Sequence, residues 1–177
     1  MNLRLARLTD APLLRSWDGK PHVIAATGDD GFFDWEAELP RSVCWRELLI
    51  AEDDGRPIGF LQIIDPAIEE THYWGEIAPN LRAIDVWIGE ESDLGRGYGT
   101  IMMRLALARC FANPSVSAVL IDPLVSNTRA HRFYERLGFQ CIGPRSFGPD
   151  ECLVYRLDRE TWRTAQPAAA SQGGPFG

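Results

Sequence analysis

The chain has 177 residues, 45% of them hydrophobic and 24% charged, which suits one domain with a full core and excludes two large ones. Its net charge of −7 excludes a nucleic-acid partner, whose phosphates need a basic surface; it fits a cationic small molecule or a plain solubility charge. No apolar run approaches the roughly 20 residues of a membrane helix, and "MNLRLARLTD" lacks a signal-peptide core, so the expected location is cytoplasmic with no membrane partner.

"LRLARL" (3–8) alternates apolar and basic residues and predicts a half-buried strand. Thr9 or Asp10 caps a short helix through Trp17, "DGKPHVIAATGDDG" reads as a loop, and residues 32–45 hold a mixed stretch broken at Pro40. Residues 46–52 and 57–64 flank Asp53-Asp54-Gly55 as a hairpin. A long acidic and aromatic connection leads to a strand over 81–89. A buried helix over 100–112 and a short, almost wholly apolar strand over 116–122 come next. Ser126 or Asn127 caps a helix whose Ala130, Phe133, Tyr134 and Leu137 keep helical spacing, and Gly138 stops it. "FQCIG" and "ECLVYRL" form a closing hairpin. The predicted architecture is a mixed α/β sheet with helices on both faces, one domain over 1–165, followed by a low-complexity tail over 166–177 expected to be disordered.

Cys44, Cys110, Cys141 and Cys152 show no metal spacing and read as free thiols, with a Cys141–Cys152 bridge as a minority alternative. His22, His72 and His131 are scattered, so no metal is expected, and His131 reads as a surface residue. Trp17, Trp45 and Trp87 read as core.

Gly95, Gly97 and Gly99 are spaced two apart where a strand gives way to a helix. Without Cβ atoms, backbone amides can crowd there under a helix dipole and seat phosphate oxygens. A dinucleotide fold would place such a loop after its first strand, and a P-loop needs Gly-Lys-Ser/Thr, so neither context fits.

"LRAIDVWI", "LGRGYGT" and "DPLVSNTRAHRFYERLGF" together resemble the GNAT (GCN5-related) N-acetyltransferases. The likeness spans nearly the whole predicted domain. Over residues 46–157 it is closest to the aminoglycoside 6′-N-acetyltransferases. The resemblance implies a mostly antiparallel mixed sheet with one splayed parallel strand pair. It also implies acetyl-CoA as donor, with its pyrophosphate on Leu94, Gly95, Arg96, Gly97, Tyr98, Gly99 and Thr100. Leu94 departs from the Arg or Gln that the family carries there. Asn127, Arg129 and Ala130 complete the donor site, and the backbone of Asp85, Val86, Trp87 and Ile88 pairs with the pantetheine arm, Val86 or its neighbour donating an N–H to the thioester oxygen.

Asp85 lies in an apolar run, which is costly for a carboxylate without a partner; it either binds the acceptor amine and takes its proton, or faces solvent from its strand. With an ordinary pKa near 4 it is a feeble base. Tyr134 matches the family tyrosine near the sulfur and is the candidate acid; helical spacing alone would make it core. For the acceptor, Glu70, Tyr73, Trp74, Glu76 and Asp122 offer carboxylates and aromatic faces to an amino sugar, or simply a solvated surface. Asp34 and Trp35 are weaker candidates, and Ala26 and Thr27 stand where an aromatic pair would be expected. The expected function is acetylation of an aminoglycoside amine, the 6′-amine, by direct transfer with resulting antibiotic resistance, by a monomer or homodimer. The alternatives are a GNAT enzyme acting on a protein N-terminus or a siderophore hydroxylamine, and a non-enzymatic acyl-CoA sensor.

Overall fold

The computed structural model describes residues 1–28 and 33–165. The chain runs β1 (Asn2–Leu5), α1 (Ala11–Asp18), α2 (Pro21–Thr27), α3 (Trp35–Glu38), β2 (Arg46–Asp53), β3 (Arg56–Ile64), β4 (Leu81–Ile88), α4 (Tyr98–Ala112), β5 (Ala118–Ile121), α5 (Thr128–Arg136), β6 (Gln140–Phe147), β7 (Asp150–Asp158) and α6 (Arg159–Ala165). Seven strands form one sheet in the order β1-β2-β3-β4-β5-β7-β6. Every pairing is antiparallel except β4 with β5, where α4 supplies the crossover that a parallel pair requires.

The two-residue period of the strands sorts the core into layers. Leu49, Leu61, Ile63 and Ile84 face α4, where they bury Met102, Met103, Ala106 and Leu107. Ile50 and Phe60 point the other way, into Leu14 and Trp17 of α1 and Trp35 of α3. Helices therefore cover both faces. A third cluster joins Trp74, Leu81, Ala118, Leu120 and Phe147 at the end of the sheet where the long connection folds back.

The feature that shapes the molecule is a split. β4 and β5 pair only at Leu81↔Ala118, Arg82↔Val119 and Ala83↔Leu120. β5 ends at Ile121, while β4 continues to Ile88 bonded to β3 alone. Past Ala83 the two strands diverge, and the opening between them joins the two faces of the sheet.

Several expectations need correction. The segment read as a loop contains α2, because Pro21 presets the first-turn dihedral and Gly28 (φ 90°) ends the helix. Asp10 precedes α1, but its carboxylate binds Arg4 and the Arg7 N–H instead of capping that helix. Cys141 lies opposite Tyr155 and Cys152 opposite Arg145, so the register keeps the two apart and no disulfide joins them. His131 is buried, its Nε2 against the Val125 carbonyl and its ring stacked on Tyr155. Trp17 is core, whereas Trp45 and Trp87 are only half-buried and line a cleft. α6 had no counterpart in the sequence reading. The tail expected over 166–177 lies outside the described residues. Among the described residues no helix is long and apolar enough to cross a membrane.

Candidate active site

A cleft of about 510 Å³ opens on the face of the sheet covered by α1–α3 and runs through the split to the first turn of α5. The β3–β4 register puts Asp85 opposite Gln62 and Trp87 opposite Phe60, with both β4 side chains on the cleft face. Asp85 Oδ2 accepts a 2.8 Å hydrogen bond from Gln62 Nε2. Burial pushes its carboxyl above the ordinary range, and the Gln62 bond offsets this only in part. It is therefore a better proton acceptor than its residue type suggests.

Asp122 follows the last residue of β5 and reaches the same cleft from the far side of the split. Burial, then the charge of Asp85, pushes it up to about 7, against the opposing pull of the Tyr73 hydroxyl and Arg145. Tyr73 Oη donates to Asp122 Oδ2 at 2.8 Å, and its ring stacks on Phe147 with centroids 4.4 Å apart and planes within 6°. Burial and the Asp122 charge raise the Tyr73 pKa, so it stays a donor. Trp74 is buried beside it, edge-on to Phe147.

The acidic connection divides differently from the expectation. Glu70 is exposed, paired with Arg41 at 2.6 Å, and does not line the cleft. Its neighbour Glu69, passed over in the sequence, is buried and lines the cleft. Glu69 accepts from the Thr71 N–H and hydroxyl and from the Tyr73 N–H, fixing the turn that presents Tyr73 to Asp122. Glu76 is exposed and away from the cleft. Asp34 caps α3 through the Ala37 N–H, a local role, while Trp35 forms part of the cleft's inner wall.

Ala26 and Thr27 do line the cleft, and the aromatic surface comes from other elements. Phe33, Trp35, Phe60 and Trp87 make a continuous row with successive centroids 4.5, 5.0 and 4.5 Å apart. The Trp87 indole N–H is buried without a protein partner. The cleft thus offers both aromatic faces and carboxylates to a ligand.

Tyr134 comes from α5, on the opposite face of the sheet, packed edge-on to Phe139 and reaching the cleft through the split. Burial, then the charges of Asp85 and Asp122, raises its pKa, which keeps the hydroxyl protonated at neutral pH. Asn127 caps α5, its Oδ1 accepting the Ala130 N–H at 3.1 Å, and both residues line the cleft.

The glycine loop lies at the open end of β4. Gly95 (φ 78°) and Gly97 (φ 87°) hold left-handed backbone, and Gly97 caps α4. A Cβ at Gly97 would meet no atom within 4 Å, so the space above it is open. Gly99 is helical and its α-carbon faces the Phe133 ring, a packing role. The first turn of α4 carries no acidic residue, so nothing competes with an anion for its free amides. The Arg129 guanidinium lies 3.9 Å from the point a Cβ on Gly95 would occupy. Gly95 to Thr100 with Arg129 could hold the diphosphate of coenzyme A, and the edge of β4 beyond its pairing with β5 could hold the pantetheine arm, although at Ile88 the carbonyl already meets His22 Nε2 at 3.0 Å. Among the described residues no group of three or more His, Cys, Asp or Glu side chains gathers to hold a metal.

A glycine-opened helix start at the open end of β4 and a carboxylate-lined cleft reaching it through the split suit a protein that brings an anionic ligand beside a cationic one. Residues 7–147 match the acetyltransferase (GNAT) domain, and the chain belongs to that family. It is 31% identical over 165 residues to an aminoglycoside N(6′)-acetyltransferase type 1 of Klebsiella pneumoniae, covering 89% of this chain and 82% of that protein. It is 28% identical to the lysine N-acyltransferase MbtK of Mycobacterium tuberculosis, over 90% of this chain and 78% of that one. Its fold superposes on the crystal structure of aminoglycoside acetyltransferase AAC(6′)-Ib in complex with coenzyme A and kanamycin with a TM-score of 0.85, at 27% identity, covering 94% of this chain and 99% of that one.

Proposed function

We propose that the protein is an aminoglycoside 6′-N-acetyltransferase that uses acetyl-CoA, acts in the cytoplasm as a monomer or homodimer, takes no nucleic-acid partner, and confers resistance. Its residues 1–165 act as one catalytic unit. The observation that carries the reading is the convergence of Asp85 and Asp122 from two diverging strands onto one aromatic-walled cleft. Two carboxylates facing one ring-sized space suit an acceptor with several ammonium groups. The relatives named for aminoglycoside acetylation, one of them crystallised with kanamycin, support it.

When bound, acetyl-CoA supplies the acetyl group as a thioester. Gly95, Gly97, the first turn of α4, Asn127, Arg129 and Ala130 would hold it, and the β4 edge would orient its arm. Asp122 and Tyr73 grip one ammonium group of the acceptor. Asp85 holds the reacting amine and takes its proton at the carboxylate, helped by its raised pKa. The Val86 N–H would donate to the thioester oxygen. Tyr134 Oη keeps a proton available at the sulfur end.

The test is a thiol-release panel with acetyl-CoA against kanamycin-type amines, peptides with free N-termini and hydroxylamines. Amino sugars are expected to be the preferred acceptors, and Asp85→Asn is expected to slow their single-turnover acetylation by about 10²–10⁴-fold. Transfer confined to peptides or hydroxylamines would overturn the reading.

A further inference from the structure

We infer that Asp93 and Arg56 form a clamp beneath the phosphate seat, in which Asp93 is a positioning residue and Arg56 a guanidinium offered to the donor's diphosphate; this rests on the coenzyme A reading above. The loop's own first residue, Leu94, has no charge to give. Arg56 arrives instead from the start of β3, in the β2–β3 hairpin. Its Nη1 and Nη2 bond the two oxygens of Asp93 at 2.6 and 3.2 Å, a bidentate pairing that fixes the plane of the guanidinium. Nη2 also lies 3.4 Å from the hydroxyl of Tyr98, and the guanidinium carbon lies 5.9 Å from that ring's centroid. Tyr98 is the first residue of α4, directly after Gly97, so the arginine head is held against the side chain that opens the helix at the proposed phosphate seat.

Asp93 is 2% exposed, whereas Arg56 is 49% exposed. Arg96, within the loop, adds a third bond to Asp93 Oδ1 at 3.3 Å and is 62% exposed. One buried carboxylate therefore aims two guanidiniums that keep unused N–H donors facing outward. Within the cluster itself two cations share one anion, with Asp53 opposite Arg56 in the hairpin engaged by the N-terminal amine. The burial is asymmetric: the acid is hidden and the bases are presented. A salt bridge serving only the hairpin would have no need to leave both cations open beside a helix N-terminus.

The test compares acetyl-CoA with S-acetylpantetheine, which carries the thioester and arm but no diphosphate. Arg56→Gln and Asp93→Asn are each expected to raise KM for acetyl-CoA about tenfold, the size of one lost charge-assisted hydrogen bond. Their kcat, and kcat/KM for S-acetylpantetheine, should stay within about twofold of the wild type. Asp93→Asn makes the seat more positive, so a role through net charge alone predicts tighter binding, and that result would overturn the assignment. Equal losses with both donors would reduce the pair to scaffold and overturn it as well. Arg56 is half-exposed, so Arg56→Gln keeps the question open to test if Asp93→Asn fails to fold. Calorimetry with coenzyme A alone separates the two readings. Normal binding without amino-sugar acetylation would sink the aminoglycoside function only, while unchanged affinity in both variants would sink the clamp only.

Discussion

Asp122 stands just past the end of β5 with Asp85 across the split, and burial plus that neighbouring charge pushes its carboxyl up to about 7. In the unfolded chain the same group has a pKa near 4. Between those values the folded protein binds more protons than the unfolded one, so stability from this group falls as pH rises from about 4 to about 7. Above pH 7 the folded state carries a buried negative charge beside another, a standing cost that suits a site built to receive a cation. Asp122→Asn keeps an oxygen for the Tyr73 hydroxyl and removes the charge. Each pKa unit is about 1.4 kcal/mol, and for a chain of this size 1 kcal/mol moves Tm by about 2–4 °C. The variant is therefore expected to melt several degrees higher at pH 8, with the gain gone by pH 4, while its KM for an amino sugar rises. Thermal melts across that range check it, and an unchanged or lowered Tm at pH 8 would contradict the placement of the charge. The cost is visible in sequence only as an acid among apolar neighbours, "AIDVWI" for Asp85 and "LID" for Asp122. That signal found both carboxylates. It could not find Glu69, whose partners are backbone and hydroxyl groups of its own turn, nor the Arg56–Asp93 pair, which joins residues 37 apart with no period to betray it.

At the scale of elements, the end of β4, the loop at 94–97 and the start of α4 act as one device. Gly97 holds φ 87° with nothing within 4 Å of a would-be Cβ, so its substitution strains the backbone without a clash. Gly97→Ala should weaken coenzyme A binding only a few-fold. Gly97→Asp adds an anion where the phosphates sit, and calorimetry should show affinity falling by at least about tenfold beyond the alanine variant, with the far-ultraviolet spectrum unchanged; equal affinities for the two variants would remove the phosphate seat from this loop. The device was legible because each part is local: an apolar strand, glycines at fixed spacing, and a buried helix. The elements that were missed are short and amphipathic by tertiary context. α2 has seven residues, Pro21–Thr27; Pro21 and Gly28 suit a turn as well as the two ends of a helix, and packing near β4 and α1 decides for the helix. Trp45 and Trp87 were read as core because tryptophan usually is; their half-exposure follows from a cleft that exists only once α1–α3 and the split strands are assembled.

For the whole molecule, the two proposed ligand sites have opposite signs of charge and lie toward opposite faces of one sheet. The proposed phosphate seat has Arg56, Arg96 and Arg129 near the start of α4, while the cleft gathers Asp85 and Asp122. The split between β4 and β5 is where the faces communicate, so on this proposal donor and acceptor would enter from different directions and meet at the strand edge. The net charge of −7 adds a long-range field that draws cations toward the molecule and must be overcome locally at the arginines. Salt screens such fields beyond about 8 Å at physiological ionic strength. The kcat/KM for a polycationic amino sugar is therefore expected to fall steadily from 50 mM to 500 mM salt. Much of that slope should come from the cleft itself, because an approaching cation meets Asp85 and Asp122 across the solvent filling the cleft, where salt screens the attraction, while acids elsewhere on the surface lie farther from its path. Asp122→Asn should make the slope shallower, whereas neutralising an exposed acid outside the cleft, such as Glu76, should leave it unchanged. Steady-state kinetics of the three proteins over that salt range check the ordering, and equal slopes would place the attraction in the net charge of the chain instead of the carboxylates facing the cleft.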